Sequence, residues 1–548
     1  IAIIGALFLA GPANAQIQED SLLGVGINVF KYSYPRPPAL AKVINTPSGT
    51  YDVRESGLTN REDVYGSNFS EFVEKTAVSV GLEGSYAGFS NSMKTTVGNV
   101  DKNSLETKFL KIKNTISGRI VVFNYRDAGS LRKHLNPEFK KAVNRLPPLE
   151  LFAAYGTHVM TEIGLGGEAE VVFNSSASES ESKDTFVLNA KAAYKGLGGS
   201  VSGSVGIDKS SQSTNRSNIN NNSLRVHGGD ESARQRLASQ QTQANWTNWA
   251  GTVRAHPAFL GPTKGGLIPI WELIEDEKKA QEVKGAFLRE TAKNVAVTVF
   301  SQTSATAATR PDAKVTIPEG YKLLSGGAII DQAGAGNLLT YSFPESNNSW
   351  RGIGKDHSVG NAAKITVYAL AISDPHDIWD TKQFCSKRSK IAAHPVGSAE
   401  VGAGYVMTGG GAWVDWNGAG NLLTASYPKT KNIWEARSKD HSVSDPASIL
   451  VCAIGLKSKI GVRLTSDRNE SSSSSASHPS ATVSPNGGFV MVGGGAFVDW
   501  AGAGNLLTAS YPVGQNTWGA RSKDHSVSSP AKVLVYTLGI SVDTSSIK

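Results

Sequence analysis

Two segments of the chain alternate between apolar and polar side chains, the first from Thr76 and the second from Phe186. Alternation at every second position is typical of a β-strand with one buried and one solvated face. Each segment therefore predicts a half-buried strand. The apolar positions are Val78, Val80, Leu82 and Tyr86 in the first segment, and Phe186, Leu188, Ala190 and Tyr194 in the second.

Both segments are poorly suited to form a hydrophobic core, because serine, asparagine, threonine and glycine surround their few apolar residues. One interpretation is a pair of polar surface loops. A second is a pair of segments that insert into a membrane, where a spanning strand needs about ten residues with one apolar and one polar face. Regions 76–115 and 170–224 are each long enough for two such strands and a turn, and both interpretations stay open.

Other patterns in the first half predict short, mixed elements. The apolar run 118–125 predicts a buried strand. Asn136 and Pro137 suit the first positions of a helix, and a second short helix is expected over 149–155. Helical spacing returns over 270–293. We expect an α+β domain over residues 16–300.

The second half repeats itself without gaps at a spacing of 84 residues. Trp350, Trp434 and Trp518 keep this spacing, as does the pentapeptide Lys-Asp-His-Ser-Val that follows each tryptophan. Three equal units with short strands stack around a common axis. We predict an all-β, pseudo-threefold β-prism of three four-stranded sheets over residues 301–548, because a propeller needs more blades.

Two roles are open for the repeated aspartate and aromatic residues. In the first, the three tryptophans pack between the sheets while the aspartate and histidine of the pentapeptide fix turns. In the second, the prism ends form shallow sites for a cell-surface glycan or lipid receptor, since carboxylates bind sugar hydroxyls and aromatic rings cover apolar sugar faces. The candidate receptor-binding residues are Asp331, Asp415, Asp499, Trp416 and Trp500.

A short motif lies between the two alternating segments. It consists of Tyr155, Gly156, Thr157 and His158, then Val159 and six further residues, and finally Gly166 and Gly167. The motif resembles the signature of the membrane attack complex/perforin (MACPF) family, which usually has an aromatic residue at the position of Val159. The resemblance covers about residues 20–300.

This resemblance implies a MACPF/CDC-like domain, in which a bent antiparallel sheet carries two flanking helical clusters. In the family, these clusters unwind into membrane-inserted β-hairpins and many subunits assemble. Carried over, the hairpins come from about 76–115 and 170–224. Gly166, Gly167, Gly228 and Gly229 are then hinges that let the sheet open. The alternative is that these glycines are only structural residues at strand ends.

A MACPF domain followed by the three repeats resembles secreted gammaproteobacterial MACPF proteins with a C-terminal β-prism, some of which are insecticidal toxins. This implies a pore-forming toxin that is monomeric in solution, binds a lipid membrane through its receptor, and forms a homo-oligomer there. Insect gut cells are the expected target. The alternative is a non-lytic adhesin or lectin, which the sparse apolar residues of 198–223 favour.

Composition and charge add three expectations. The formal net charge is +8, but no basic helix or aromatic–basic face is apparent, so no nucleic-acid partner is expected. The apolar run that ends in Ala13-Asn14-Ala15 predicts a signal peptide over 1–15, the alternative being a buried strand. Cys385 and Cys452 form either a disulfide or two free thiols.

His158 is the residue that invites an enzymatic interpretation. No nucleophile motif, metal-ligand spacing or phosphate-binding loop accompanies it. We expect a packed, hydrogen-bonded histidine, and a protein that is not an enzyme and needs no cofactor or metal.

Overall fold

The structure is a computed structural model that describes residues 21–84, 87–98, 100–175, 183–193, 219–221, 224–307, 309–331, 336–418, 420–502 and 504–544. The expected signal peptide, Tyr86 and Tyr194 lie outside the described residues.

The first half combines long antiparallel strands with short helices. Its strands are β1 (Gly26–Ile27), β2 (Tyr51–Glu55), β3 (Thr59–Gly66), β4 (Lys108–Phe123), β5 (His158–Met160), β6 (Glu162–Ser175), β7 (Ile219–Asn221), β8 (Arg225–His227), β9 (Ala258–Pro262) and β10 (Leu267–Pro269). Its helices are α1 (Phe69–Ser79), α2 (Ala87–Thr96), α3 (Ala128–Arg132), α4 (Pro137–Arg145), α5 (Pro148–Tyr155), α6 (Lys183–Ala193), α7 (Glu231–Ser239), α8 (Gln243–Val253) and α9 (Glu277–Lys293). The helix predicted after Asn136 is confirmed as α4, and Asn136 caps it by accepting from the Glu138 amide at 2.9 Å.

Strands β4 and β6 form the centre of the main sheet and pair from Lys108–Ser175 to Val122–Glu162. On the outer side of β4, β3 pairs with its first part and β2 with its last part. On the outer side of β6, β7 and β8 pair with its last part and β9 with its first part. The result is a curled antiparallel sheet with helices on its faces.

The second alternating segment lies in α6, whereas the first lies partly in α1 and partly in the turn that follows it, so the strands predicted there are wrong for this structure. Val78 and Leu188 are exposed, whereas Leu82, Phe186 and Ala190 are buried. Val80 is partly buried. Positions two apart share a face in a strand but not in a helix, where each residue turns by about 100°. The predicted apolar stripe is therefore split between core and surface. No described helix is long and apolar enough to cross a bilayer.

The second half is all-β. Its strands are β11 (Val297–Thr303), β12 (Asp312–Thr316), β13 (Tyr321–Asp331), β14 (Leu338–Ser346), β15 (Ser349–Lys355), β16 (Lys364–Ser373), β17 (Trp379–Cys385), β18 (Val396–Glu400), β19 (Val406–Asp415), β20 (Leu422–Pro428), β21 (Ile433–Lys439), β22 (Ser448–Ser458), β23 (Arg463–Ser472), β24 (Ser480–Val483), β25 (Val490–Asp499), β26 (Leu506–Gly514), β27 (Thr517–Lys523) and β28 (Lys532–Asp543). Strand β11 crosses the expected boundary at residue 300 and pairs with β16.

These strands form a β-prism-like region, but the predicted four-stranded sheets are wrong. The described strands form three six-stranded sheets, with orders β11-β16-β13-β26-β27-β24, β12-β15-β14-β19-β22-β17 and β18-β21-β20-β25-β28-β23. Each sheet joins strands of two repeats, for example where Tyr341 of β14 pairs with Trp413 of β19.

The structure confirms that the repeated tryptophans lie in the prism core. Trp350, Trp434 and Trp518 are at most 1% exposed and belong to one apolar cluster. Leu338, Leu422 and Leu506 form a separate cluster of three equivalent residues, which marks the pseudo-threefold axis. The open question about the cysteines is settled by a disulfide between Cys385 of β17 and its directly paired residue, Cys452 of β22.

Candidate functional site

Four strand ends meet at one edge of the main sheet. Gly66 ends β3 and pairs with Phe109, while Lys108 at the start of β4 pairs with Ser175 at the end of β6. Ser175 also pairs with Ile219 at the start of β7. Segments 67–107 and 176–218 therefore leave from, and return to, neighbouring antiparallel strands. The predicted regions 76–115 and 170–224 include these segments in large part, together with residues that already lie in the sheet.

The first segment folds into α1 and α2, which we call the first cluster. Asn68 caps α1, because its Oδ1 accepts from the Glu71 amide at 3.1 Å. Phe69 and Phe72 then pack on Phe109 of β4, with ring centroids 5.7 and 5.3 Å apart. The contact with the sheet, rather than the sequence pattern alone, holds this segment as a helix.

The second helix of the cluster packs on the N-terminal loop that contains Tyr32 and Tyr34. Phe89 contacts Tyr32 and Tyr34 edge-to-face, at centroid distances of 5.7 and 5.6 Å. The Tyr34 amide donates to Ser92 Oγ at 2.8 Å. The N-terminal loop therefore lies between α2 and the sheet.

Four charged residues lie on the sheet face beneath the first cluster. They occupy alternate positions of the two central strands, and we call them the buried charge layer: Lys111, Lys113, Glu168 and Glu170. Lys111 is 0% exposed, and Glu168 and Glu170 are below 10%. Lys111 Nζ donates to Ser79 Oγ, the last residue of α1, at 2.7 Å. The cluster thus rests on paired charges as well as on aromatic rings.

Every member of the buried charge layer has a partner of opposite charge. Glu62 Oε2 lies 3.2 Å from Lys113 Nζ and 3.6 Å from Lys111 Nζ. Arg36 pairs with Glu168, and Arg225 Nη2 lies 3.2 Å from Glu170 Oε1. Tyr34 donates to Glu170 as well. Pairing matters here, because an unpaired buried charge costs several kcal/mol.

Burial and neighbouring charges shift the pKa values in this layer. Burial, and then the charge of Lys113, lower the pKa of Lys111 to about 8. Burial also acts to lower the pKa of Lys113, but the carboxylates of Glu62, Glu168 and Glu170 outweigh it and raise that pKa. Burial raises the pKa of Glu168. The pKa values in this layer therefore reflect two opposing effects: desolvation disfavours the charged forms, and attraction between opposite charges favours them.

The described part of the second segment, α6, packs on the opposite face of the sheet. Phe186 and Ala190 join an apolar cluster with Leu110 and Ile112 of β4. Lys191 Nζ lies 2.8 Å from Asp63 Oδ2 of β3. The sheet therefore lies between the first cluster and α6.

The predicted hinge glycines lie together where the pairing of the sheet is interrupted. The β4–β6 register shifts between Ser117 and Arg119, next to Gly166. A Cβ on Gly166 would lie 2.1 Å from the carbonyl oxygen of Ile116, and one on Gly228 would lie 2.2 Å from that of Gly166. Gly228 also has a φ of +72°. Three backbones touch here, and larger residues would separate them.

Helix α8 packs against these glycines from one side. Trp249 is 0% exposed, and its Nε1 donates to the Gly228 carbonyl oxygen at 2.8 Å. A Cβ on Gly167 would lie 2.8 Å from the Trp249 ring, and one on Gly229 would lie 2.6 Å from Trp249 Nε1. The sequence indicated these glycines as candidate hinges, but it did not indicate that Trp249 packs on them.

The signature motif holds the N-terminal segment of the domain. The Thr157 amide donates to the Ile27 carbonyl oxygen at 2.8 Å, and Thr157 Oγ1 accepts from the Val29 amide at 3.1 Å. A Cβ on Gly26 would lie 1.7 Å from the carbonyl oxygen of Tyr155, and one on Gly156 would lie 2.4 Å from that of Ile27. These small residues let two chain segments cross in close contact.

His158 is packed among aromatic rings. It is 6% exposed and contacts Trp271 and Phe287 edge-to-face, at 5.6 and 5.5 Å. Its Nδ1 lies 3.0 Å from Thr157 Oγ1. Burial, and then the nearby His376, lower its pKa to about 3. The imidazole is therefore neutral at physiological pH, and its surroundings are those of a core residue.

The prism contacts the first cluster directly. Asn68 Nδ2 donates to the Val299 carbonyl oxygen at 2.7 Å, and Ser373 Oγ donates to Glu74 Oε1 at 2.8 Å. The Gln515 amide donates to the Asn103 carbonyl oxygen at 3.0 Å. The cluster is thus held on one side by the sheet and on another by the prism, which no local sequence signal indicated.

The candidate receptor-binding residues have different surroundings. Asp331 lines a cleft of about 440 Å³. Asp415 pairs with Arg388 at 3.3 Å, and Asp499 is exposed. Trp416 and Trp500 are partly buried, under Lys355 Nζ at 4.5 Å and Lys439 Nζ at 3.8 Å. One face of each tryptophan ring is therefore covered by a cation.

Three equivalent histidines, His357, His441 and His525, surround the pseudo-threefold axis. Their ring centroids are 5.1–5.2 Å apart, and their nitrogens lie within 4.8 Å of one another. His441 Nε2 lies 2.6 Å from the His525 carbonyl oxygen, and His525 Nε2 lies 2.6 Å from that of His357. These imidazoles tie successive repeats together.

Within each repeat, the pentapeptide aspartate fixes a turn, as predicted. Asn337, Asn421 and Asn505 have positive φ values of 55–61°. Their side-chain amides donate to Asp356, Asp440 and Asp524 at 2.6–2.7 Å.

Comparison with known proteins gives one family match. The MAC/Perforin domain family matches residues 59–290. Among solved structures, GNIP1Aa from Chromobacterium piscinae is similar, with 18% identity, a TM-score of 0.42, and coverage of 70% of this chain and 76% of that chain. A MAC/Perforin-domain protein of Bacteroides thetaiotaomicron has 14% identity, a TM-score of 0.38, and coverage of 49% and 60%. None of the curated proteins matches the chain.

Proposed function

The chain contains a domain of the MAC/Perforin family, and from this premise we propose that the protein forms pores in target cell membranes. In this proposal the protein is secreted, is monomeric in solution, and binds a cell-surface glycan or lipid through its prism. Subunits then assemble into a ring, and each inserts two β-hairpins. The target proposed, from the sequence resemblance to insecticidal toxins, is the insect gut cell.

One observation carries this proposal: the aligned ends of β3, β4, β6 and β7. Segments 67–107 and 176–218 each connect two of these strands at the same edge of one sheet. If both segments unwind, the existing ladders can continue without a change of register. Each segment exceeds the two strands of about 9–11 residues that a membrane-spanning hairpin needs.

The buried charge layer supports the same proposal. When the first cluster leaves the sheet, Lys111, which donates to Ser79 of that cluster, becomes accessible to water. Charged side chains gain hydration free energy on exposure, whereas an apolar face would lose free energy. The uncovered face is therefore suited to the aqueous side of a pore.

The contacts of the first cluster explain how the soluble form can persist. Phe69 and Phe72 lose their packing on Phe109 when the cluster leaves, and Asn68 loses its bond to the Val299 carbonyl oxygen. Burying a large apolar side chain is worth about 1.5–3 kcal/mol. Release therefore needs a compensating gain, which new strand pairing and lipid contact provide in the proposal.

Leakage from dye-loaded vesicles of insect midgut lipids tests this function, together with electron microscopy of the same membranes. We expect rings on the membrane and dye release, while the protein without membranes elutes as a monomer. Binding without rings or leakage would contradict the proposal and would favour the adhesin alternative.

A further inference from the structure

The three junctions between prism repeats are equivalent in backbone but not in side chains. Each junction is formed by two residue pairs, and one of these pairs has a different composition in each junction. The three pairs are Tyr341–Trp413, Ala425–Phe497 and Ala509–Ile329. The aromatic rings of the first pair pack at 5.6 Å, and Phe497 packs on Tyr427 at 5.4 Å. Only the junction of the third repeat with the first lacks an aromatic residue in this pair.

The 440 Å³ cleft lies at this third junction. Ile329 and Ala509 form an apolar part of its wall, and Asp331, Thr366 and Arg521 supply polar groups. Sites for small molecules usually measure about 300–1,000 Å³. We call this feature the third-junction cleft. It lies about ten residues, roughly 30 Å, along β13 from Tyr321, whose ring packs on Phe300 at the start of the prism.

The charged residues of the third-junction cleft have different neighbours from the residues at the equivalent positions of the other repeats. Arg437, which corresponds to Arg521, donates to Glu435 at 2.7–2.9 Å. Gly519 occupies the position that corresponds to Glu435. The Arg521 guanidinium lies 5.9 Å from the ring of Tyr511, and among the described residues no carboxylate pairs with it.

Asp331 differs from one of its two equivalents and resembles the other, Asp499, which is also exposed. Its equivalent Asp415 pairs with Arg388. The Asp331 side chain is exposed and makes no ion pair or hydrogen bond within the part of the chain that the structure describes. The cleft thus presents a guanidinium and a carboxylate that are both available to a ligand.

We propose that the third-junction cleft binds a sugar that carries a carboxylate, as found at the ends of acidic cell-surface glycans. Arg521 binds the sugar carboxylate through its planar donor pair. Asp331 and Thr366 bind hydroxyl groups, and Ile329 with Ala509 contacts an apolar part of the ring. Asp331 would repel a ligand that offered only a phosphate dianion. The inference rests on the proposed function, because it names what the prism would recognise on a target cell.

Binding of soluble glycans to the full-length protein tests this inference without any membrane. The probes are glycans that end in sialic or glucuronic acid, the same glycans without the acid, and inorganic phosphate, titrated by calorimetry. We expect binding of an acidic glycan, and a loss of about tenfold or more in affinity without its carboxylate or in Arg521→Gln. Asp331→Asn should also weaken binding, and Arg437→Gln, the matched control, should not.

Equal binding of acidic and neutral glycans, unchanged binding by Arg521→Gln, or competition by phosphate at the sugar's own affinity would overturn the inference. So would the absence of binding to any acidic glycan. Thermal unfolding of each variant confirms that it is folded. Leakage from the vesicles of insect midgut lipids separates the two proposals: leakage without glycan binding refutes only the cleft, whereas glycan binding without leakage refutes only the pore.

Discussion

His158 belongs to the signature motif and is packed in the core of the domain. Protonation of this histidine should lower the stability of the folded protein in acid. Its pKa is lowered from 6.5 to about 3, mainly by burial. As pH falls below 6.5, the unfolded chain takes up this proton before the folded protein does. Stability should therefore be lost between about pH 6.5 and pH 3, by about 5 kcal/mol at most.

Urea unfolding at a series of pH values measures this effect. We expect His158→Gln to be less stable than the native protein at neutral pH, since aromatic contacts are lost, but to show a flatter decline with acid. His256 is exposed, so His256→Gln should leave the decline unchanged. An equally steep decline in His158→Gln would show that other groups carry the acid sensitivity.

Gly228 provides a second test at the scale of a residue. In Gly228→Ala the new Cβ meets the Gly166 carbonyl oxygen, and φ is already positive. We expect a loss of about 2 kcal/mol or more in the free energy of unfolding. Gly251 lies inside α8 with no atom within 4 Å of an added Cβ, so Gly251→Ala should be neutral or stabilising by up to about 1 kcal/mol. Equal stability of the two variants would refute the close backbone contact.

At the scale of elements, the sequence predicted those helices that have local signals. Asn136 and Pro137 mark α4 without help from the rest of the fold. The start of α1 had such a signal too, because Asn68 and Glu71 have the spacing of a helix cap, but the alternation that follows concealed it. The helix persists because Phe69 and Phe72 meet Phe109, and no local pattern contains that contact.

The charges beneath the first cluster were visible as alternating residues within two strands. Lys111 and Lys113 share one face of β4, and Glu168 and Glu170 share one face of β6. Their meeting depends on the register between strands that are distant in sequence. In the same way, the 84-residue period predicted three prism units, but not that Tyr341 of one unit would pair with Trp413 of the next.

A disulfide between the first cluster and the prism should prevent leakage. A Cβ built on Gly84, which follows α1, lies 3.4 Å from Ser373 Oγ of β16. In a disulfide, a Cβ lies about 3 Å from the opposite sulfur, so Gly84→Cys with Ser373→Cys can form one. We expect at least tenfold slower dye release from the oxidised double variant, and recovery on reduction.

We call this engineered disulfide the lock, and the two single variants are its controls. Ser373→Cys also removes the hydrogen bond to Glu74, so it should leak at least as fast as the native protein. The native disulfide between Cys385 and Cys452 lies within the prism, and the native protein with reductant controls for its loss. Undiminished leakage from the oxidised double variant would mean that the first cluster does not need to leave the prism.

At the scale of the whole molecule, the prism has two ends with different contacts. One end holds the first cluster through Val299, Ser373 and Gln515. The third-junction cleft lies farther along the sheet, away from the MAC/Perforin domain. The oxidised lock joins only the first of these regions, so it should leave glycan binding through the cleft intact while it prevents insertion.

This separation allows a test of assembly in mixtures of locked and native protein. If subunits act in rings, one locked subunit interrupts the continuous set of hairpins, because each neighbour must supply strands to close the pore. An equimolar mixture at constant total protein should then leak far less than half as much as native protein alone. A mixture with Ser373→Cys in place of the locked protein should keep full leakage. Leakage in simple proportion to the native fraction would show instead that subunits insert independently, and the ring would have to be abandoned.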